Sequence, residues 1–173
     1  YLTNKGEKNV GVRIINVPEV KVEIYKIYEN NLLEYFRRGG YASYDYGYEG
    51  DYYYDSYYDY SSIEYGNYGD LVFSKTYDYK DIKKKDGASI ISLDFNEISK
   101  FKGVYAVRVS STKDYWIKAS KTIAVSDIGL IAKEGEDEVV VFANSILTAK
   151  SLSGVEVNLI SSNNQSILQA TTD

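Results

Sequence analysis

Between Tyr41 and Tyr60 the chain gathers ten tyrosines, Tyr41, Tyr44, Tyr46, Tyr48, Tyr52, Tyr53, Tyr54, Tyr57, Tyr58 and Tyr60, with five carboxylates, Asp45, Glu49, Asp51, Asp55 and Asp59. Rigid rings with polar tips beside carboxylates can bind sugar, peptide or cell-wall polymer. Oxygen-rich loops can also hold calcium when about six oxygens converge. A pair such as Asp51 and Asp55 could act as acid and base in glycoside cleavage if held at a fixed separation. Each chemistry needs a geometry that the segment does not encode. Tyr stands at most of the positions where a calcium loop needs acids or amides. The Gly, Ser and Asp spacing leaves little aliphatic surface to bury, which favours a solvated or loosely packed insertion over about residues 41–69. In such an insertion two carboxylates cannot keep a catalytic distance. An exposed segment of this kind is also a candidate protease lure. The absence of Lys and Arg from Gly39 to Ser74 argues against trypsin-like attackers.

The elements around this segment are strands. Val10, Val12 and Ile14 alternate with small or polar neighbours, and Val20, Val22, Ile24 and Ile27 resume after Pro18, which predicts strands near 9–16 and 19–28. Pro18 lies between the runs, where it removes no ladder hydrogen bond. Asn30 to Arg38, with an Asn cap and a basic last turn before Gly39-Gly40, predicts one short helix. Further strands are expected at 71–73, 89–95, 104–109, 115–125, 139–143, 155–160 and 166–170, with a brief helical turn within 96–101. Asp86-Gly87 and Lys102-Gly103 supply positive-φ positions. The acids around Gly135 and the run Lys83-Lys84-Lys85 read as solvated turns. Many short strands without βαβ alternation imply an all-β sandwich, immunoglobulin-like in layout.

Composition removes most catalytic machinery. With no Cys and no His, the chain cannot form a thiolate nucleophile, an imidazole base or a Cys/His metal site. No cofactor, metal or enzymatic activity is therefore expected. The net charge of -5 argues against nucleic acid or anionic membrane as partners, since both need clustered cations. No apolar run is long enough to span a bilayer. The opening at Tyr1 without Met suggests a segment excised from a longer, exported protein.

From Trp116 onward the sequence resembles the bacterial alpha-2-macroglobulin family. Val125-Ser126-Asp127-Ile128-Gly129-Leu130 is similar to the phrase that links successive macroglobulin domains, and Phe142 to Lys150 is similar to the next strand and turn. Gly154 to Leu159, Asn163-Asn164-Gln165 and Ala170 to Asp173 extend the match. Val10 to Tyr28 and Leu32-Leu33 resemble the preceding domain more generically. The resemblance implies one complete macroglobulin-like sandwich over residues 1–123 and the N-terminal part of a second over 124–173. It further implies a structural segment of a periplasmic or cell-surface protease trap. The expected partners are neighbouring domains of the same chain and, for the intact protein, a target protease. The family's thioester needs a Cys, so that element lies elsewhere. Trp116, Ser126, Asp127 and Leu130 are expected at the interdomain junction, with Trp116 in a long strand and used for packing. The rival function is an adhesin or glycan- or peptide-binding sandwich that recognises its ligand through the tyrosines of 41–60.

Overall fold

The structure is a computed structural model describing residues 1–3, 8–40, 63–82, 84–85, 88–98 and 102–173. Apolar alternation sets the first unit. Strand β1 (Asn9–Ile14) pairs antiparallel with β5 (Ala88–Asp94), which also pairs with β4 (Lys84–Lys85). Opposite lies an antiparallel sheet of four strands in the order β3 (Gly69–Asp78), β2 (Glu19–Ile27), β6 (Gly103–Ser111) and β7 (Lys118–Val125). Val20, Val22, Ile24, Tyr105, Val107, Ile123 and Val125 of the larger sheet meet Ile14, Ile91 and Leu93 of the smaller one, with Phe95 between them. That shared core makes the unit a sandwich. Phe95 opens the short helix α2 (Phe95–Ile98) and meets the Tyr105 ring edge-on at 5.9 Å.

Of the two expected positive-φ positions, Lys102-Gly103 is described and Asp86-Gly87 lies outside the described residues. Asn16 takes a left-handed conformation (φ 55) just before Pro18, whose carbonyl accepts from the Tyr79 amide at 2.8 Å. Gly103, at φ +138, opens β6.

The outer face of the four-stranded sheet carries a second, smaller core of Ile27, Tyr35, Tyr65 and Ala106. Two segments build it. One is a 3-10 turn (Glu29–Asn31) that runs into α1 (Leu32–Tyr35). The other is the turn Tyr65–Asn67, which is the returning end of the tyrosine-rich stretch. Tyr65 stacks on Tyr25 at 5.4 Å and tilts against Tyr35 at 6.3 Å, while Tyr68 meets Tyr35 at 6.0 Å. The far end of the predicted insertion is packed: Ile63, Tyr65 and Tyr68 lie in the second core, and Gly69 is already in β3. Two aromatic rings with a sheet face to cover bury more readily than they stay wet.

Asn31 does not cap the helix as the sequence suggested. Its side-chain amide donates instead to the Tyr68 carbonyl at 3.2 Å, beside the Tyr28 amide, which donates to the same oxygen at 3.0 Å. Both anchor the returning segment.

The second unit consists of two antiparallel ribbons. β8 (Ile128–Glu134) pairs with β9 (Val139–Ser145) across the Gly135 turn, and β10 (Glu156–Ile160) pairs with β11 (Ser166–Thr171). The Gly135 amide donates to the Glu138 carbonyl at 2.8 Å, which closes the acidic hairpin predicted there. The ribbons are joined through Leu152, whose amide donates to the Ala143 carbonyl at 2.8 Å and whose carbonyl accepts from the Thr172 hydroxyl at 2.7 Å. Between them runs a cleft of about 300 Å3 lined by Val141, Ala143, Leu152, Val157, Leu168 and Ala170, among others. Of the residues in β8 to β11, only Ala143 and Ser145 are buried, while Leu130, Ile131, Phe142, Ile167 and Leu168 are exposed.

Candidate functional site

The junction between the units concentrates the specific hydrogen bonds. Leu2 pairs parallel to Val125 at the end of β7. Its amide donates to the Ala124 carbonyl at 2.8 Å, and its carbonyl accepts from the Ser126 amide at 3.1 Å. The N-terminal segment thus straps the exit of the first unit. Ser126 then turns the chain, its hydroxyl accepting from the Ile128 amide at 3.0 Å. Short polar side chains favour such local bonds over continued strand.

Asp127 ties the linker to the far turn of β9. One carboxylate oxygen accepts from the Leu147 amide at 3.0 Å, the other from the Ser145 hydroxyl at 3.0 Å, and the Asp127 carbonyl accepts from the Ile146 amide at 2.8 Å. The buried Ser145 hydroxyl accepts in turn from the Thr148 amide at 3.1 Å. Ala149 completes the turn in a left-handed conformation (φ 55). A carboxylate that accepts several such bonds fixes a turn in one geometry. Leu130, two residues into β8, is exposed on the ribbon opposite Ala143.

Trp116 stands apart from this group. Sequence reading placed it in a strand over 115–125 and assigned it to the junction, but β7 begins only at Lys118. The buried Ser111 hydroxyl accepts from the Lys113 and Asp114 amides at 3.2 and 3.1 Å, and the Ile117 amide donates to Asp114 at 2.9 Å, which makes 112–117 a closed turn. Trp116 is 64% exposed on its tip, edge-on to Tyr115 at 5.1 Å. The turn lies at the opposite end of β7 from Val125, roughly 25 Å away at the usual rise per strand residue. Packing against the core does not use this ring.

The ten tyrosines from Tyr41 to Tyr60 and the five acids among them lie outside the described residues. Sequence reasoning missed a buried carboxylate in the sheet. Glu23 is 8% exposed and pairs with Lys21 at 2.7 Å. Burial, and next the charge of Glu23, push the neighbouring Tyr25 phenol up. Alternation puts Lys21, Glu23 and Tyr25 on the outer face, the face that carries the second core against which Tyr25 packs. The described residues hold no group of three or more acids, His or Cys arranged to take a metal ion, and no helix among them is long and apolar enough to cross a membrane.

Two family models match the chain. The bacterial alpha-2-macroglobulin MG2 domain matches residues 1–123, and the bacterial alpha-2-macroglobulin MG3 domain matches residues 125–173. A search of curated proteins gives no significant match. Among solved structures, native alpha-2-macroglobulin from Escherichia coli spanning domains NIE-MG1 aligns at TM-score 0.68 and 20% identity over 99% of this chain and 77% of that one. A longer native piece spanning MG0-NIE-MG1 aligns at TM-score 0.63 and 20% identity over 97% of this chain and 49% of that one. Trypsin-activated alpha-2-macroglobulin from Escherichia coli aligns at TM-score 0.65 and 20% identity over 94% of this chain and 10% of that one. The chain thus spans about half of the MG0-NIE-MG1 piece and a tenth of the trypsin-activated chain, and these likenesses establish its fold. Matched by these models over nearly its whole length and folded as an all-β sandwich, the chain belongs to the bacterial alpha-2-macroglobulin family.

Proposed function

We propose that the chain is a structural, non-enzymatic segment of a large extracytoplasmic protease-trapping inhibitor. Residues 1–123 form one macroglobulin-like domain and residues 124–173 the N-terminal part of a second, whose open apolar faces receive the rest of that domain. Its partners in that setting are neighbouring macroglobulin domains and, through the intact protein, the captured protease. The observation that carries this reading is the junction. Asp127, Ser126 and Leu2 use their hydrogen bonds to fix how one unit leaves the other. A module built this way passes on a rearrangement by moving as a body.

The test is a spin-label distance within the first unit of the whole protein, between Lys80→Cys and Lys121→Cys, in a background free of other reactive thiols. A rigid module keeps the same narrow distribution before and after protease cleavage. A distribution that shifts or broadens on cleavage contradicts the spacer role.

A further inference from the structure

The linker is not the only connection between the two units. At the tip of the β10–β11 hairpin the Asn164 side-chain amide donates to the Asn30 backbone carbonyl at 2.8 Å, across 134 positions of sequence. The donor is held in place by its own turn. The Asn164 amide donates to the Ser161 carbonyl at 3.0 Å, the Ser161 amide to the Gln165 carbonyl at 2.8 Å, and the Gln165 amide to the Ser161 hydroxyl at 3.0 Å. The same hydroxyl also bonds the Asn163 side chain. Asn164 itself sits at φ 65, a left-handed position that Asn tolerates better than most residues.

The acceptor is equally fixed. Asn30 lies in the Glu29–Asn31 turn, just beyond the end of β2 at Ile27. Ile27 pairs with Val104, and Val104 with Ala124, so this turn leaves the sheet at the same pole as the linker, two strands over. At the usual strand spacing that separation is about 10 Å. A contact so displaced from the Val125–Ser126 exit opposes rotation about the linker, which a single covalent connection does not.

We propose that the Asn163-Asn164-Gln165 tip is a latch docking the second unit onto the Glu29–Asn31 turn, so that the relative orientation of the units is held at two points. The receiving turn also anchors the returning tyrosine-rich segment, through Asn31 and Tyr28 on the Tyr68 carbonyl. Displacing that turn therefore disturbs the latch as well as the outer aromatic core.

In the whole protein, in a background free of other reactive thiols, Lys121→Cys on the first unit and Lys133→Cys on the second give the two sites for spin labels. The unaltered background should give one narrow distance distribution between them. Asn164→Gly keeps the left-handed turn and deletes the donor; Asn164→Asp replaces the donor by a carboxylate facing a carbonyl. Both should raise the undocked population about two- to tenfold, the range that one neutral hydrogen bond supplies. Amide exchange at Leu159 and Leu168 reports whether the hairpin itself survives, and the variant that keeps its protection decides. Unchanged distributions in both variants overturn the latch, as does broadening in Asn164→Asp alone with an intact Asn164→Gly hairpin, since that reflects repulsion only.

Discussion

The carboxylate of Asp127 accepts a hydrogen bond from the Ser145 hydroxyl at 3.0 Å, which ties the linker between the units to the last residue of β9. Asp127→Ala leaves the Leu147 amide and the buried Ser145 hydroxyl without their acceptor. The expected cost to the second unit is about 1–3 kcal/mol. Amide exchange at Leu147 and Thr148 should accelerate first, while Ile24 and Val107 in the first core keep their protection. Equal loss of protection in both units would contradict the local role.

Among the described glycines, Gly69 is the one least able to accept a side chain. A Cβ there would stand 1.9 Å from the Lys26 carbonyl oxygen and 2.8 Å from the Ile27 Cα, and backbone in a paired strand cannot yield. Gly69→Ala should destabilise the first unit by about 3 kcal/mol or more. Gly66→Ala, four tenths of a nanometre or more from any neighbour, is the control and should leave the melting temperature unchanged.

Tyr35 makes the fold sensitive to alkali. Burial pushes its phenol up to about 12, partly offset by the hydrogen bond its hydroxyl shares with Thr122 at 2.7 Å. In the unfolded chain a tyrosine titrates near 10. Above that pH the unfolded state gives up a proton that the folded state keeps, so stability is full below about pH 10 and falls between about pH 10 and 12 by roughly 2–3 kcal/mol. Denaturant titrations across this window should show the decline, and Tyr35→Phe should remove most of it at the expense of the Thr122 bond.

Trp116 and Tyr115 occupy a solvent-facing turn, so Trp116→Ser and Tyr115→Ser should each change stability by less than about 0.5 kcal/mol. Trp116 is the one tryptophan of the chain, and its emission should therefore be that of a wet indole, open to quenching by iodide. Blue-shifted emission that iodide cannot quench would place the ring in a packed surface instead.

Strand positions were legible because period-two alternation reports directly on which side of a sheet is buried: Val20, Val22 and Ile24 marked β2, and Val104 to Val109 marked β6. Trp116 misled because a β-favouring aromatic beside Tyr115 and Ile117 mimics a strand, whereas the Ser111 hydroxyl closes a turn there. The Tyr65 and Tyr68 end of the tyrosine-rich segment was read as solvated or loosely packed because tyrosine is equally at home wet or packed. Only the presence of α1 on the same sheet face decides between them. Asp127 was marked by resemblance, but its partners at Ser145 and Leu147 depend on a fold-back that spacing alone does not encode.

In the proposed role these units serve a trap, not a blocked active site or a ligand-binding surface. The most direct measurement is the residual activity of a protease mixed with the whole protein, assayed on a small chromogenic peptide and on a large protein substrate. A trap leaves the small substrate cleaved and protects the large one; cleavage of both at the uninhibited rate, or loss of both, would contradict it.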